Sequence, residues 1–105
     1  MKNLFISIII LCLTVSISAK EGKMNILDKI SVIVHSSVLI DGEKVIYFDP
    51  YKLPNNTPKA DIIFITHEHG DHMSPADVIK IAKDSTIIVL PKTLKHTFKW
   101  NIVAV

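Results

Sequence analysis

Three histidines and one aspartate, all of types that bind metals, lie within six consecutive residues, at His67, His69, Asp71 and His72. The whole chain has five histidines, so three of them in one short segment is a marked concentration. In an extended segment, residues two apart project to the same side, which allows His67 and His69 to bind one ion. We expect Gly70 to let the backbone turn sharply, so that Asp71 and His72 face the same space. The spacing therefore predicts a metal site with ligands for two ions.

The ligand types do not select one metal. Imidazole nitrogens and carboxylate oxygens suit zinc, and they also suit iron and manganese. A solvated turn without metal and a single structural zinc are the alternatives. The cluster directly follows the apolar segment 62–65, and the carboxyl end of a buried strand is where sheet proteins commonly place functional groups. This position favours a catalytic site, with a small molecule as the substrate.

Short apolar runs separated by turn residues predict strands on both sides of the cluster. Asp41-Gly42 predicts a hairpin turn, and Asp49-Pro50 ends the strand that follows it. Four consecutive apolar residues at 62–65 predict a central strand covered on both faces. The predicted strands are residues 30–35, 38–40, 45–48, 62–65, 86–90 and 102–105.

Ser74, Pro75 and Asp77 predict the start of a helix that continues to about Lys83, because they supply an N-cap hydroxyl, a first-turn proline and a first-turn carboxylate. A short second helix is predicted over residues 93–98. The element order predicts an α/β fold, a mixed sheet with helices on one face. The residues after Ala19 supply no obvious second layer, so we expect only the first half of a larger fold.

The first 19 residues predict a signal peptide, because Lys2 precedes an apolar run at 4–17 and Ser18-Ala19 offers a cleavage site. The run of about 14 residues is shorter than the roughly 20 that span a bilayer. An uncleaved membrane anchor is the alternative to cleavage, and lipidation of Cys12 is a weaker one. We therefore expect an exported protein, periplasmic or extracellular, without stable membrane association, in which a flexible lead-in at 20–29 precedes a partial domain at 30–105.

The composition excludes several classes of protein. Hydrophobic residues make up 49% and charged residues 21%, as in globular chains. The net charge of +2 comes with dispersed lysines, so nucleic-acid binding is not expected. After cleavage the chain has no cysteine and no G-x-S-x-G motif, which disfavours thiol and serine hydrolases.

The segment Thr66-His67-Glu68-His69-Gly70-Asp71-His72 resembles the H-x-H-x-D-H signature of the metallo-beta-lactamase superfamily. The flanking segments 35–40, 45–50 and 60–65 resemble its branch of small metal-dependent hydrolases, similar to the ascorbate-phosphate lactonases. The resemblance covers residues 30–91. It implies a four-layer αββα sandwich with a dinuclear site, most simply two zinc ions.

The resemblance also implies a role for each site residue. His67 and His69 would bind the first ion, and Asp71 and His72 the second, with Asp71 also orienting a water or passing a proton. The activated water would attack an ester, lactone, amide or phosphoester bond. Asp49 would hydrogen-bond to the metal loop, although capping the turn before Pro50 is an equal alternative. His35 would lie near the mouth of the site or serve the structure alone.

The sequence departs from the family pattern after residue 91. Family members supply a third histidine, a bridging aspartate and a last histidine from their second half, and this sequence ends at Val105 before any of them. His96 is the one downstream histidine, and its Lys-rich surroundings predict a surface residue. Two hypotheses remain: an exported metal-dependent hydrolase represented by a truncated chain, and a non-catalytic product that binds metal weakly or needs a partner chain.

Overall fold

The computed structural model describes residues 25–105, so the predicted signal peptide lies outside the described residues. Six strands form a single sheet in the order of the sequence. Within residues 25–105, no helix is both long and apolar enough to cross a membrane. The strands are β1 (Ile30–Val32), β2 (Val38–Asp41), β3 (Val45–Phe48), β4 (Ile62–Phe64), β5 (Ile87–Leu90) and β6 (Asn101–Ala104).

The sheet is mixed, as the sequence predicts. Strands β1, β2 and β3 pair antiparallel, whereas β3, β4, β5 and β6 pair parallel. The hairpin between β2 and β3 is confirmed, but three residues, 42–44, connect the paired Asp41 and Val45. None of the described glycines has a positive φ, so Gly42 does not form the left-handed two-residue turn.

One face of the sheet carries the hydrophobic core. Tyr47, Ile63 and Ile88 lie side by side in the register of β3, β4 and β5 and are fully buried. They pack with Val78 and Ile81 of helix α1 (Pro75–Ile81). The Tyr47 hydroxyl donates to the Pro58 carbonyl at 2.7 Å, and burial, with a smaller contribution from Asp41, raises the pKa of Tyr47 to about 12.

The opposite face is also apolar but is not part of this core. Ile46, Ile62 and Ile87 share one row of it, and Phe48 and Phe64 stack in the next row at 4.9 Å between ring centroids. Ile87 is 40% exposed, and none of these side chains belongs to the core cluster of the described residues. The sequence predicted that both faces of the strand at 62–65 are covered. Within residues 25–105, only one of the two faces is covered by the core.

Helix α1 begins where the sequence predicts it. The Ser74 side chain accepts from the Asp77 amide as the N-cap. The helix ends at Ile81 and not near Lys83, because Ala82 is extended. The Lys83 amide donates to Thr86 Oγ1, whose hydroxyl donates to the Ala60 carbonyl, and these bonds replace another helical turn.

Two further elements differ from the prediction by more than one residue at an end. The strand predicted over 30–35 ends at Val32, since the Ser37 amide donates to Val34 O and closes a turn with His35 at φ 52°. The helix predicted over 93–98 is a 3-10 helix at Lys92–Leu94. Another 3-10 helix, at Ile26–Lys29, lies within the predicted lead-in.

Candidate metal site

The carboxyl ends of β3 and β4 place Asp49 beside the start of the histidine cluster. The two strands are parallel and Phe48 pairs with Phe64, so the residues after each strand emerge at the same edge. The Asp49 amide donates to the Phe64 carbonyl at 2.8 Å. Asp49 has φ 45°, a left-handed conformation that aspartate tolerates better than most residues.

The Asp49 carboxylate accepts three hydrogen bonds from the segment that carries the cluster. Oδ1 accepts from the Thr66 amide at 2.8 Å, and Oδ2 accepts from the Thr66 hydroxyl at 2.7 Å and from His72 Nδ1 at 2.8 Å. Asp49 is only 3% exposed, so these donors replace the water that a free carboxylate would have. The contact between Asp49 and the metal loop that the resemblance implies is therefore present.

His67 and His69 lie together with two ring nitrogens facing each other. His67 Nε2 is 3.1 Å from His69 Nδ1, and the ring centroids are 4.6 Å apart. Two nitrogens bound to one tetrahedral zinc at about 2.0–2.1 Å would be separated by about 3.3 Å. The donor types and the separation of this pair fit a shared divalent ion.

A tight turn brings Asp71 and His72 back toward this pair. The His69 carbonyl accepts from the His72 amide at 2.9 Å and from the Met73 amide at 2.8 Å. Asp71 Oδ2 and His72 Nε2 are then 3.6 Å apart, and the rings of His67 and His72 are 4.0 Å apart. The sharp turn expected at Gly70 is present, but it does not require glycine, because the φ of Gly70 is not positive and an added Cβ would meet open space.

The two pairs do not merge into a larger ligand set. Across residues 25–105, no three histidine, cysteine or acidic side chains converge on a point that could hold an ion. The same part of the chain forms no pocket. Catalytic zinc sites normally have three protein ligands, so each pair is short of a complete set.

His35 lies at the solvent side of the cluster. Its Nδ1 is 3.9 Å from Asp71 Oδ2, and its ring contacts Tyr51 edge-on at 5.6 Å between centroids. The His35 and Asp71 side chains are 56% and 43% exposed, whereas His72 is 19% exposed. His35 thus lies beside Asp71 on the exposed side of the cluster, and its role near the site mouth or in the structure alone stays a prediction. His96 is exposed, in agreement with its predicted surface position.

A second carboxylate, missed as part of the site from sequence, holds the loop that follows Asp49. Asp77 accepts from the amides of Lys52 and Leu53 at 3.0 and 2.9 Å and from the Ser74 hydroxyl at 2.7 Å. Burial alone would raise the pKa of Asp77, but these hydrogen bonds and the charge of Lys80 lower it overall. Its only sequence signal was its place in the first helical turn.

The family described as "Beta-lactamase superfamily domain" matches residues 29–103 of this chain. Among curated proteins, UPF0173 metal-dependent hydrolases are similar. The one from Bacillus licheniformis is 36% identical over 76 residues, covering 64% of this chain and 32% of the relative. The one from Geobacillus thermodenitrificans is 40% identical over 70 residues, covering 59% and 30%.

A solved structure is similar as well. The crystal structure titled as a metal-dependent hydrolase from Parabacteroides distasonis has 35% sequence identity and a TM-score of 0.62. The match covers 70% of this chain and 36% of the other. This chain therefore spans about a third of the length of the relatives it matches.

Proposed function

The chain belongs to the beta-lactamase superfamily domain family, and from that membership we propose that it contributes four metal-binding side chains to a hydrolase active site. Similar proteins are named metal-dependent hydrolases, which implies a divalent metal for this family. The proposed ligands are His67 and His69 for one ion and Asp71 and His72 for a second. Zinc is the proposed metal, with iron or manganese as alternatives of similar ligand preference.

The observation that carries this proposal is the 3.1 Å separation of His67 Nε2 and His69 Nδ1. Two imidazoles from a single short segment face each other at the carboxyl end of the central strand β4. His69 is exposed and His67 is half-buried, so burial in the core does not account for this arrangement.

The surrounding residues hold these ligands in place. Asp49 accepts from His72 Nδ1, which leaves His72 Nε2 on the side of Asp71. Asp71 is exposed enough to contact a substrate or receive a proton from the attacking water. Bound divalent ions would supply a water of lowered pKa and would stabilise negative charge on the substrate.

The proposed reaction is hydrolysis of an ester, lactone, amide or phosphoester bond in a small molecule. The described residues form no pocket, and the relatives are about three times as long as the part that matches. We propose that further ligands and the walls of a substrate pocket come from residues equivalent to the remainder of those relatives. We also propose export, on the basis of the signal-peptide pattern in residues 1–19.

A non-catalytic metal-binding chain is the second candidate. It is favoured by the absence, within residues 25–105, of three converging ligands. Such a chain would bind metal weakly through His67 and His69, or would need a partner chain to complete the site.

The test is metal content, measured on the full chain, together with hydrolysis, measured on the full chain fused to the remaining part of a relative such as the Bacillus licheniformis protein, because this chain matches only 32% of that relative. We expect the chain to bind zinc, a His67→Ala/His69→Ala double variant to lose it, and the exposed control His96→Ala to retain it. Hydrolysis of simple ester, lactone and phosphodiester substrates should require the metal and disappear in the double variant. Bound metal without hydrolysis would support the second candidate, and unchanged stoichiometry in the double variant would overturn the ligand assignment.

A further inference from the structure

Thr66 immediately precedes the histidine cluster, and its hydroxyl lies between two groups of the site. Oγ1 is 2.7 Å from Asp49 Oδ2 and 2.9 Å from His67 Nδ1. Asp49 Oδ2 is also 2.8 Å from His72 Nδ1. A continuous series of hydrogen bonds therefore links His67 to His72 through Thr66 and Asp49.

The chemistry of these atoms fixes the direction of each hydrogen bond. A hydroxyl has one proton to donate, and a carboxylate has none. Thr66 must then donate to Asp49, which leaves an oxygen lone pair facing His67. His67 Nδ1 carries a proton and donates to that lone pair, and His72 Nδ1 donates directly to the carboxylate.

When each ring carries a single proton, both histidines are left with an unprotonated Nε2. For His67 this is the atom that faces His69 Nδ1, and for His72 it is the atom nearest to Asp71. A metal-binding nitrogen must present a lone pair, and the hydrogen bond made by the other ring nitrogen decides which one does. The directions of the hydrogen bonds therefore leave the lone pair of each ring on the nitrogen that faces the other member of its proposed ligand pair.

We propose that Thr66 is a positioning residue that extends the effect of Asp49 to His67. One buried carboxylate then fixes the tautomer and ring orientation of one histidine in each ligand pair. The inference rests on the proposed function, because the orientation of these rings serves metal binding. The tautomers themselves can be measured without metal. Removing the Thr66 hydroxyl should affect His67 selectively, because His72 contacts Asp49 directly.

The tautomers can be read by long-range proton–nitrogen NMR of the imidazole rings in the metal-free, nitrogen-15-labelled full chain. The spectra are recorded at about pH 8.5, two units above the ordinary pKa of histidine. We expect both His67 and His72 to carry the proton on Nδ1. His67 protonated on Nε2 in the unsubstituted protein would overturn the proposal without any variant.

Two variants test the hydroxyl itself. Thr66→Val keeps the shape and removes the hydroxyl, so His67 should populate the Nε2-protonated form while His72 keeps its Nδ1 proton. Thr66→Ser keeps the hydroxyl and should preserve both tautomers. An unchanged His67 tautomer in Thr66→Val, or loss of it in Thr66→Ser, would contradict the proposal.

Zinc affinity then separates this inference from the proposed function. Thr66→Val should weaken zinc binding about 10- to 100-fold, the effect typical of outer-shell partners, whereas Thr66→Ser should not. If the unsubstituted chain binds no zinc, the proposed function fails while the tautomer result still decides the role of Thr66. If it binds zinc and Thr66→Val binds equally well, Thr66 has no positioning role and the ligand assignment survives.

Discussion

The two ends of the candidate site differ in how firmly their side chains are held. At the buried end, Asp49 is almost fully covered and accepts three hydrogen bonds from Thr66 and His72. At the open end, His35 and Asp71 are each about half exposed, and their nearest side-chain nitrogen and oxygen are 3.9 Å apart. The buried end is therefore preorganised, while the open end has only weak, solvent-screened contacts.

This difference suggests a division of work. Preorganised groups bind an ion without spending free energy on ordering, so the buried end suits metal retention. Exposed groups can exchange water and contact a substrate, so the open end suits the reaction. The two ends meet at the turn that positions Asp71 next to His72.

The largest effect should come from substituting the carboxylate of the buried end. Asp49→Asn keeps the size of the side chain, and asparagine also tolerates the left-handed backbone, but the charge that orients His72 is lost. Zinc affinity, measured by competition with a chromophoric chelator, should fall about 10- to 100-fold.

The matched substitution at the open end is His35→Ala. His35 is exposed, and its contacts are a 3.9 Å approach to Asp71 and an edge-on contact with Tyr51, so its removal should change zinc affinity by about 2-fold or less. Similar losses in both variants would remove the distinction between the two ends.

An effect on stability, and not on zinc affinity, is expected from substituting the carboxylate that anchors the loop after Asp49. Asp77→Asn leaves the amides of Lys52 and Leu53 with a weaker acceptor, which should lower the free energy of unfolding at pH 7 by about 1–3 kcal/mol. Urea unfolding measures this loss. The exposed Asp84→Asn is the control and should change stability by about 0.5 kcal/mol or less.

The pH dependence of that loss follows from the lowered pKa of Asp77. The folded pKa lies below the ordinary value of 3.8, so its contribution is present above pH 3.8 and is lost as the pH falls through the folded pKa. The difference between the unsubstituted chain and Asp77→Asn should therefore shrink in acid. The pKa of Asp61 is also lowered, mainly by its hydrogen bond from Lys83. Both proteins contain Asp61, so both should still lose some stability in acid. A difference that stays constant down to pH 2 would show that the Asp77 charge does not stabilise the fold.

Local patterns predicted the elements that local chemistry controls. The strand at 45–48 and the start of α1 at Ser74-Pro75 were correct, because a short apolar run between turn residues and a capping hydroxyl both act over a few residues. The pairing of His67 with His69 was also readable, since it needs only two residues in an extended segment.

Contacts between distant residues were not readable in the same way. Asp77 lies 24 and 25 residues from the amides it binds, and nothing in its neighbourhood indicates that partner. The early end of α1 depends on Thr86 reaching the Ala60 carbonyl, 26 residues away. Thr66 had a weak signal, a hydroxyl beside the histidine motif, but its role depends on Asp49 at the end of the neighbouring strand.

Diffraction from the zinc-loaded full chain at the zinc absorption edge would locate the ions themselves. We predict an anomalous peak within about 2.0–2.2 Å of both His67 Nε2 and His69 Nδ1, and a second peak near Asp71 and His72. An anomalous map without a peak at these four side chains, in a protein shown to be folded and exposed to excess zinc, would contradict the metal site.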